Sequence, residues 1–186
     1  RVRDQAYFSI DHSWLGMLSY LGQGMASFGD DDYAKKAAEY AKTKDTQYLV
    51  RNPSLADPEW RKAALARIRE RTERTMANGG TYDYCMGDEM SLTYYTQFHD
   101  FDWSPASLTG FQLWLRARYA DLGALNQAWS TTYTRWDTVM PLTREQAREA
   151  ANPAPWAEFR TYMNQQLADF YADVQRTIRE VDPHAH

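Results

Sequence analysis

Two adjacent carboxylates, Asp88 and Glu89, follow Gly87 at the end of a run of β-forming residues, Thr81-Tyr82-Asp83-Tyr84-Cys85-Met86. If that run is a strand of a parallel sheet, its C-terminal end is the edge at which barrel enzymes carry their catalytic groups. A carboxyl partly shielded by aromatic neighbours, here Tyr84, Tyr94, Tyr95 and Trp103, has its pKa raised and can donate a proton near neutral pH. A second acid alongside adds to the shift, because each charge disfavours the other. The same pair also reads as a helix cap or as two solvated acids. Tyr95 and Trp103 are candidate stacking platforms for a sugar ring, with core burial as the other reading of both. His12, beside Asp11 and Trp14 just past a first candidate strand, offers a further substrate contact or a structural histidine at a strand end. His99-Asp100-Phe101-Asp102 has too few histidines for a metal centre, so neither metal nor cofactor is expected.

These side chains need elements to hold them. Gln47-Tyr48-Leu49-Val50 and Thr81 to Met86 read as strands on either side of a helix. That helix starts at Asp57-Pro58 and carries Trp60, Ala64, Ile68, Thr72 and Met76 at helical spacing until Asn78-Gly79-Gly80 stops it. With Ala6-Tyr7-Phe8-Ser9-Ile10 as a third strand and a helix from Asp32 to Lys42, the order is β, α, β, α, β. Beyond Met86 the pattern turns helical. Ser104-Pro105 opens one helix, Asp121 a second, and Thr143 with Gln146 has the spacing of a capping box for a third. The last helix steps through Trp156, Phe159, Met163, Leu167, Phe170, Val174, Ile178 and Val181, and Asp182-Pro183 ends it.

Composition excludes several classes. With 25 acidic and 21 basic residues interspersed and a net charge of −4, the chain lacks the basic face of a nucleic-acid binder. No apolar run approaches the roughly 20 residues of a bilayer span. One cysteine, Cys85, forms neither an internal disulfide nor a cysteine zinc site. No repeat or linker divides the 186 residues, so residues 1–186 read as a single segment. Three parallel strands are too few for a covered sheet or a closed barrel, and a barrel of eight units needs about 250 residues. The expected fold is therefore α/β, a fragment of a (β/α)8 TIM barrel with extra helices after the strand that carries the acids.

Three stretches carry a resemblance: Tyr84 to Met90, Phe111-Gln112-Leu113-Trp114-Leu115-Arg116-Ala117-Arg118-Tyr119, and Asp121 to Trp129. Together with Trp136-Asp137 and Asn152 to Tyr171, they resemble glycoside hydrolase family 42, the β-galactosidase-like barrels, over Arg51 to Pro183. The resemblance implies a retaining glycosidase with a carbohydrate substrate and Glu89 as acid/base at the end of the fourth strand. Asp88 stands where the family more often has an asparagine that hydrogen-bonds the sugar 2-hydroxyl; an ionised Asp accepts but cannot donate. The family's cysteine cluster for zinc is not expected around a lone Cys85.

Retaining hydrolysis needs a second carboxylate about 5–5.5 Å from the first. The family's nucleophile Glu lies on a later strand, outside this sequence, and Asp11, Asp100 and Asp102 are weak local substitutes. The isolated segment is expected to be inactive. It is expected to pair with the remainder of the barrel or to form a homo-oligomer, because an incomplete sheet leaves edges open. Two alternatives stand beside this: a non-catalytic carbohydrate-binding or scaffold protein of the same fold, and a self-contained helical domain.

Overall fold

The structure is a computed structural model and describes residues 12–14, 31–51, 53–81, 83–85, 100 and 102–185. Two short strands, β1 (His12–Trp14) and β2 (Asp83–Cys85), pair in parallel, with His12 opposite Asp83, Ser13 opposite Tyr84 and Trp14 opposite Cys85. Parallel neighbours require a long crossover. Here it contains α1 (Asp31–Thr43), a 3-10 turn (Thr46–Leu49) and α2 (Pro58–Ala77). After β2 come α3 (Pro105–Arg118), α4 (Leu122–Trp129), a 3-10 turn (Trp136–Thr138), α5 (Arg144–Glu149) and α6 (Ala154–Val181).

The expected helices form because their local signals are strong. Asp57-Pro58 precedes a helix of 20 residues whose Ala64, Ile68 and Thr72 are buried. It ends where Gly79 and Gly80 take φ of 104° and 79°, angles that favour glycine, and the amide of Gly80 donates to the carbonyl of Thr75 at 2.9 Å. Ser104 accepts from the Ser107 amide and Asp121 from the Ala124 amide as N-caps. Thr143 and Gln146 form the capping box at the head of α5.

The strand expected at Gln47 to Val50 is instead a turn. Lys44, with φ of 58°, ends α1, and Asp45 then accepts from the Gln47 amide at 2.9 Å. That local side-chain acceptor closes the backbone into a 3-10 turn and draws it away from a ladder. The expected strand at Ala6 to Ile10 lies outside the described residues. Of Thr81 to Met86, Asp83–Cys85 is the described strand.

The chain divides into two compact units. One holds β1, α2, β2 and the second half of α6. Its buried side chains include Ala64, Ile68, Tyr84, Phe170, Val174 and Ile178, and the Trp60 ring lies 5.4 Å from that of Phe170. Arg61 adds a 2.5 Å ion pair to Asp173 and stacks its guanidinium over Phe170.

The other unit holds the turn at Thr46–Leu49, α3, α4, α5 and the first half of α6. Phe111, fully buried, is its centre: the rings of Phe159, Tyr162, Trp114 and Trp129 lie 5.0, 5.6, 6.0 and 6.2 Å away. Apolar burial of this kind contributes roughly 1.5–3 kcal/mol per large side chain.

Candidate active site

The strand end that leads to the acids is anchored from below. The Tyr84 hydroxyl, on β2, donates to Asp182 Oδ2 at 3.0 Å; both side chains are buried. Asp182 follows the last turn of α6, and its Oδ1 accepts from the His184 amide at 3.1 Å. The Thr81 hydroxyl donates to the Asp83 carbonyl at 2.9 Å, fixing the entry to β2.

The segment from Met86 to His99 lies outside the described residues, and with it Asp88, Glu89, Tyr94 and Tyr95. His12 sits on β1 in register with Asp83. Asp11 is likewise outside the described residues.

Where the chain re-enters the described structure, two aspartates organise it. Asp102, with no exposed surface, accepts from the Arg51 amide (3.0 Å) and the Ser104 amide (2.8 Å) on Oδ1 and from the Ser104 hydroxyl (3.0 Å) on Oδ2. Asp100, also buried, accepts from the Trp156 indole Nε1 at 2.9 Å and from the amide of Arg144, the first residue of α5, at 2.6 Å. Burial lowers the pKa of the Arg160 guanidinium, and Asp100 opposes that shift by stabilising the charge. Both acids, weak candidates for a nucleophile in the sequence, are enclosed here with both oxygens engaged by donors. Sequence reasoning missed this role because, apart from the neighbouring Ser104, the donors lie far along the chain, at Arg51, Arg144 and Trp156.

Trp103 is the one predicted contact residue whose side chain is described, and it follows its second reading. Only 7% of it is exposed. Its ring stands edge-on to Phe159 at 6.1 Å, and its amide donates to the Leu49 carbonyl at 3.0 Å. The ring belongs to the core. The reason is its place between Asp102 and Ser104, whose mutual bonds turn this stretch inward.

A half-buried carboxylate lies in the same unit. Glu158 Oε1 accepts from the Tyr119 hydroxyl and, at 3.2 Å, from the Trp129 indole. Burial raises the Tyr119 pKa, and the bond to Glu158 raises it further. Two open grooves of about 460 and 400 Å³ lie along α6 and α2; none of the predicted site residues lines either. Among the described residues no group of three or more His, Cys, Asp or Glu is placed to hold a metal ion, and no helix is long and apolar enough to cross a membrane.

The fold has counterparts in known proteins. Residues 36–186 match glycoside hydrolase family 42, described as beta-galactosidase. The chain belongs to that family. A beta-galactosidase from Arthrobacter sp is 32% identical over 78 residues, which is 39% of this chain and 11% of the relative. The beta-galactosidase bgaB of Geobacillus kaustophilus is 28% identical over 78 residues, with the same coverage of 39% and 11%.

Among solved structures, the beta-galactosidase of Bacillus circulans sp. alkalophilus is similar with a TM-score of 0.58 at 18% identity, over 70% of this chain and 20% of that one. The beta-galactosidase of the psychrophilic Marinomonas ef1 is similar with a TM-score of 0.55 at 23% identity, over 68% and 19%. The chain thus has the fold of a portion of these enzymes and spans about a tenth of its curated relatives and a fifth of the solved ones.

Proposed function

We propose that this chain is part of the (β/α)8 catalytic barrel of a retaining glycoside hydrolase acting on β-galactoside-like carbohydrates, with Glu89 as general acid/base. The observation that carries the proposal is family membership across residues 36–186, a span that includes the end of β2 and the Gly87-Asp88-Glu89 that follows it. Glu89 protonates the glycosidic oxygen as the bond to the sugar breaks. A nucleophilic Glu from outside the chain holds the glycosyl group covalently, and Glu89 then takes a proton from the water that releases it. Asp88 orients the sugar as an acceptor, and Tyr95 and His12 supply further contacts. The burial of Asp100 and Asp102 supports placing the nucleophile elsewhere. No nucleic acid or membrane takes part.

The test is turnover of nitrophenyl galactoside by the full-length protein that carries this chain. Glu89→Gln lowers kcat by about 10²–10⁴ while sugar binding is kept. Undiminished turnover in the variant would overturn the assignment.

One observation favours a second function, carbohydrate binding without hydrolysis: Asp88 in place of the more usual asparagine removes a hydrogen-bond donor to the sugar. Galactose binding by the full-length protein with no turnover of any nitrophenyl glycoside would establish it.

A further inference from the structure

An asparagine side chain is chemically durable only while the amide nitrogen of the next residue is kept from its carbonyl carbon, and four of the five asparagines in this sequence have such protection. Asn52 and Asn152 precede Pro53 and Pro153, whose nitrogens carry no hydrogen. Asn126 has its side chain fixed. Its Nδ2 donates to the Tyr133 carbonyl at 2.8 Å, and its Oδ1 accepts from the Thr131 hydroxyl at 2.9 Å and the Tyr133 amide at 2.8 Å. Asn164 lies inside α6, where the regular helical bonds occupy the amide of Gln165.

Asn78 lacks each of these. It is exposed, just past the last residue of α2, and its side chain has no hydrogen bond among the described residues. The next residue, Gly79, has no side chain to crowd the approach, and with φ of 104° it begins the turn that Gly80 completes. The Gly79 amide is held by one bond, to the Met76 carbonyl at 3.1 Å. That bond lies at the exposed end of a helix, where backbone bonds open most readily.

We infer that Asn78 is a modification site at which the chain acts on itself, losing the side-chain amide through a cyclic imide and leaving aspartate or isoaspartate between α2 and β2. The Gly79 nitrogen gives its proton to base and attacks Asn78 Cγ. A new C–N bond forms as the bond to the side-chain nitrogen breaks, and ammonia departs. Water then opens the imide at one of its two carbonyls. Opening at Cγ gives aspartate on an ordinary backbone; opening at the main-chain carbonyl gives isoaspartate, with the backbone routed through the side chain. Ammonia leaves, water enters, and nothing is oxidised or reduced.

Either product puts a carboxylate at the negative end of the α2 dipole. Isoaspartate also adds a methylene to the main chain between Thr75 and Gly80, whose 2.9 Å bond closes the helix. Thr81, which fixes the entry to β2, follows directly.

The experiment ages the folded, full-length protein that carries this chain in mildly alkaline heavy-oxygen water and follows every asparagine peptide by mass and chromatography. The Asn78 peptide gives two products, both labelled by solvent oxygen, roughly tenfold or more faster than Asn126 and Asn164, whose surroundings must open first. Asn52 and Asn152 stay unchanged. The melting temperature of the aged protein falls, and that of Asn78→Gln, aged alongside, holds. An Asn78 peptide unchanged in the folded protein overturns the inference, and its conversion in urea would then locate the protection in the turn. Faster conversion at another asparagine overturns it as well, and a converted protein with an unaltered melting temperature refutes the loosening of the helix end.

Discussion

The hydroxyl of Tyr162 stands where a side chain at position 110 would begin: a Cβ placed on Gly110 would lie 2.2 Å from it and 3.3 Å from the ring carbon that bears it. Tyr162 is 2% exposed and sits among Phe111, Trp114 and Phe159, so it has little room to retreat.

Two effects therefore compete in Gly110→Ala. Alanine improves helix propensity by about 1 kcal/mol, whereas overpacking a core costs about 1–3 kcal/mol. The clash wins, and urea denaturation should show net destabilisation. In a Tyr162→Phe background the oxygen is gone, and the same Gly110→Ala change becomes neutral or stabilising. Equal effects in both backgrounds would refute the clash.

Asp102 holds three donors from a fully buried position. Each buried donor left without an acceptor costs about 1–3 kcal/mol, so Asp102→Ala should be among the most destabilising single changes in this chain. Asp102→Asn keeps one acceptor oxygen and places its amide toward the Ser104 hydroxyl, which can turn to accept. It should lose distinctly less, and denaturant midpoints of the two variants decide the matter.

Asp173 should govern part of the acid sensitivity. Burial pushes its carboxyl up, but hydrogen bonds and charge from Arg61 and Arg176 outweigh this and leave it below the usual aspartate value. A carboxyl depressed in the folded state contributes stability that is fully present above its unfolded value of about 3.9. That contribution is lost as pH falls through the lower folded value. Asp173→Asn should lower stability at pH 6 and flatten its decline below about pH 4, measured by denaturant titration at each pH. An unchanged acid slope would rule this out.

The chain expressed by itself should associate or aggregate. Among the described residues the sheet contains only β1 and β2, and a parallel pair leaves backbone donors and acceptors on its outer edges. Sedimentation velocity should show species larger than one chain. A stable monomer at all concentrations would contradict the expectation.

How much was legible follows from how local each signal is. The helices of the second half were readable because Ser104, Asp121 and Thr143 each satisfy an amide three residues on, and a stripe such as Phe159, Met163, Phe170, Val174 and Ile178 repeats within one element. Gln47 to Val50 misled because a four-residue run has no period to read, and Asp45 decided its shape. Asp100, Asp102 and Asp182 were beyond sequence reasoning in another way. Their donors at Trp156, Arg51 and Tyr84 are distant in the chain, and no local pattern announces them. Trp103 packs in the core, and an aromatic beside acids looks the same in sequence whether it lines a cleft or fills a core.

The enclosure of Asp100 and Asp102 sets a limit for anyone who would engineer a self-sufficient glycosidase from this stretch. Lengthening Asp102 to glutamate, in the hope of reaching an anomeric carbon, would release the Ser104 amide and hydroxyl at the corner where α3 begins, and lengthening Asp100 would release the Trp156 indole and the Arg144 amide at the head of α5.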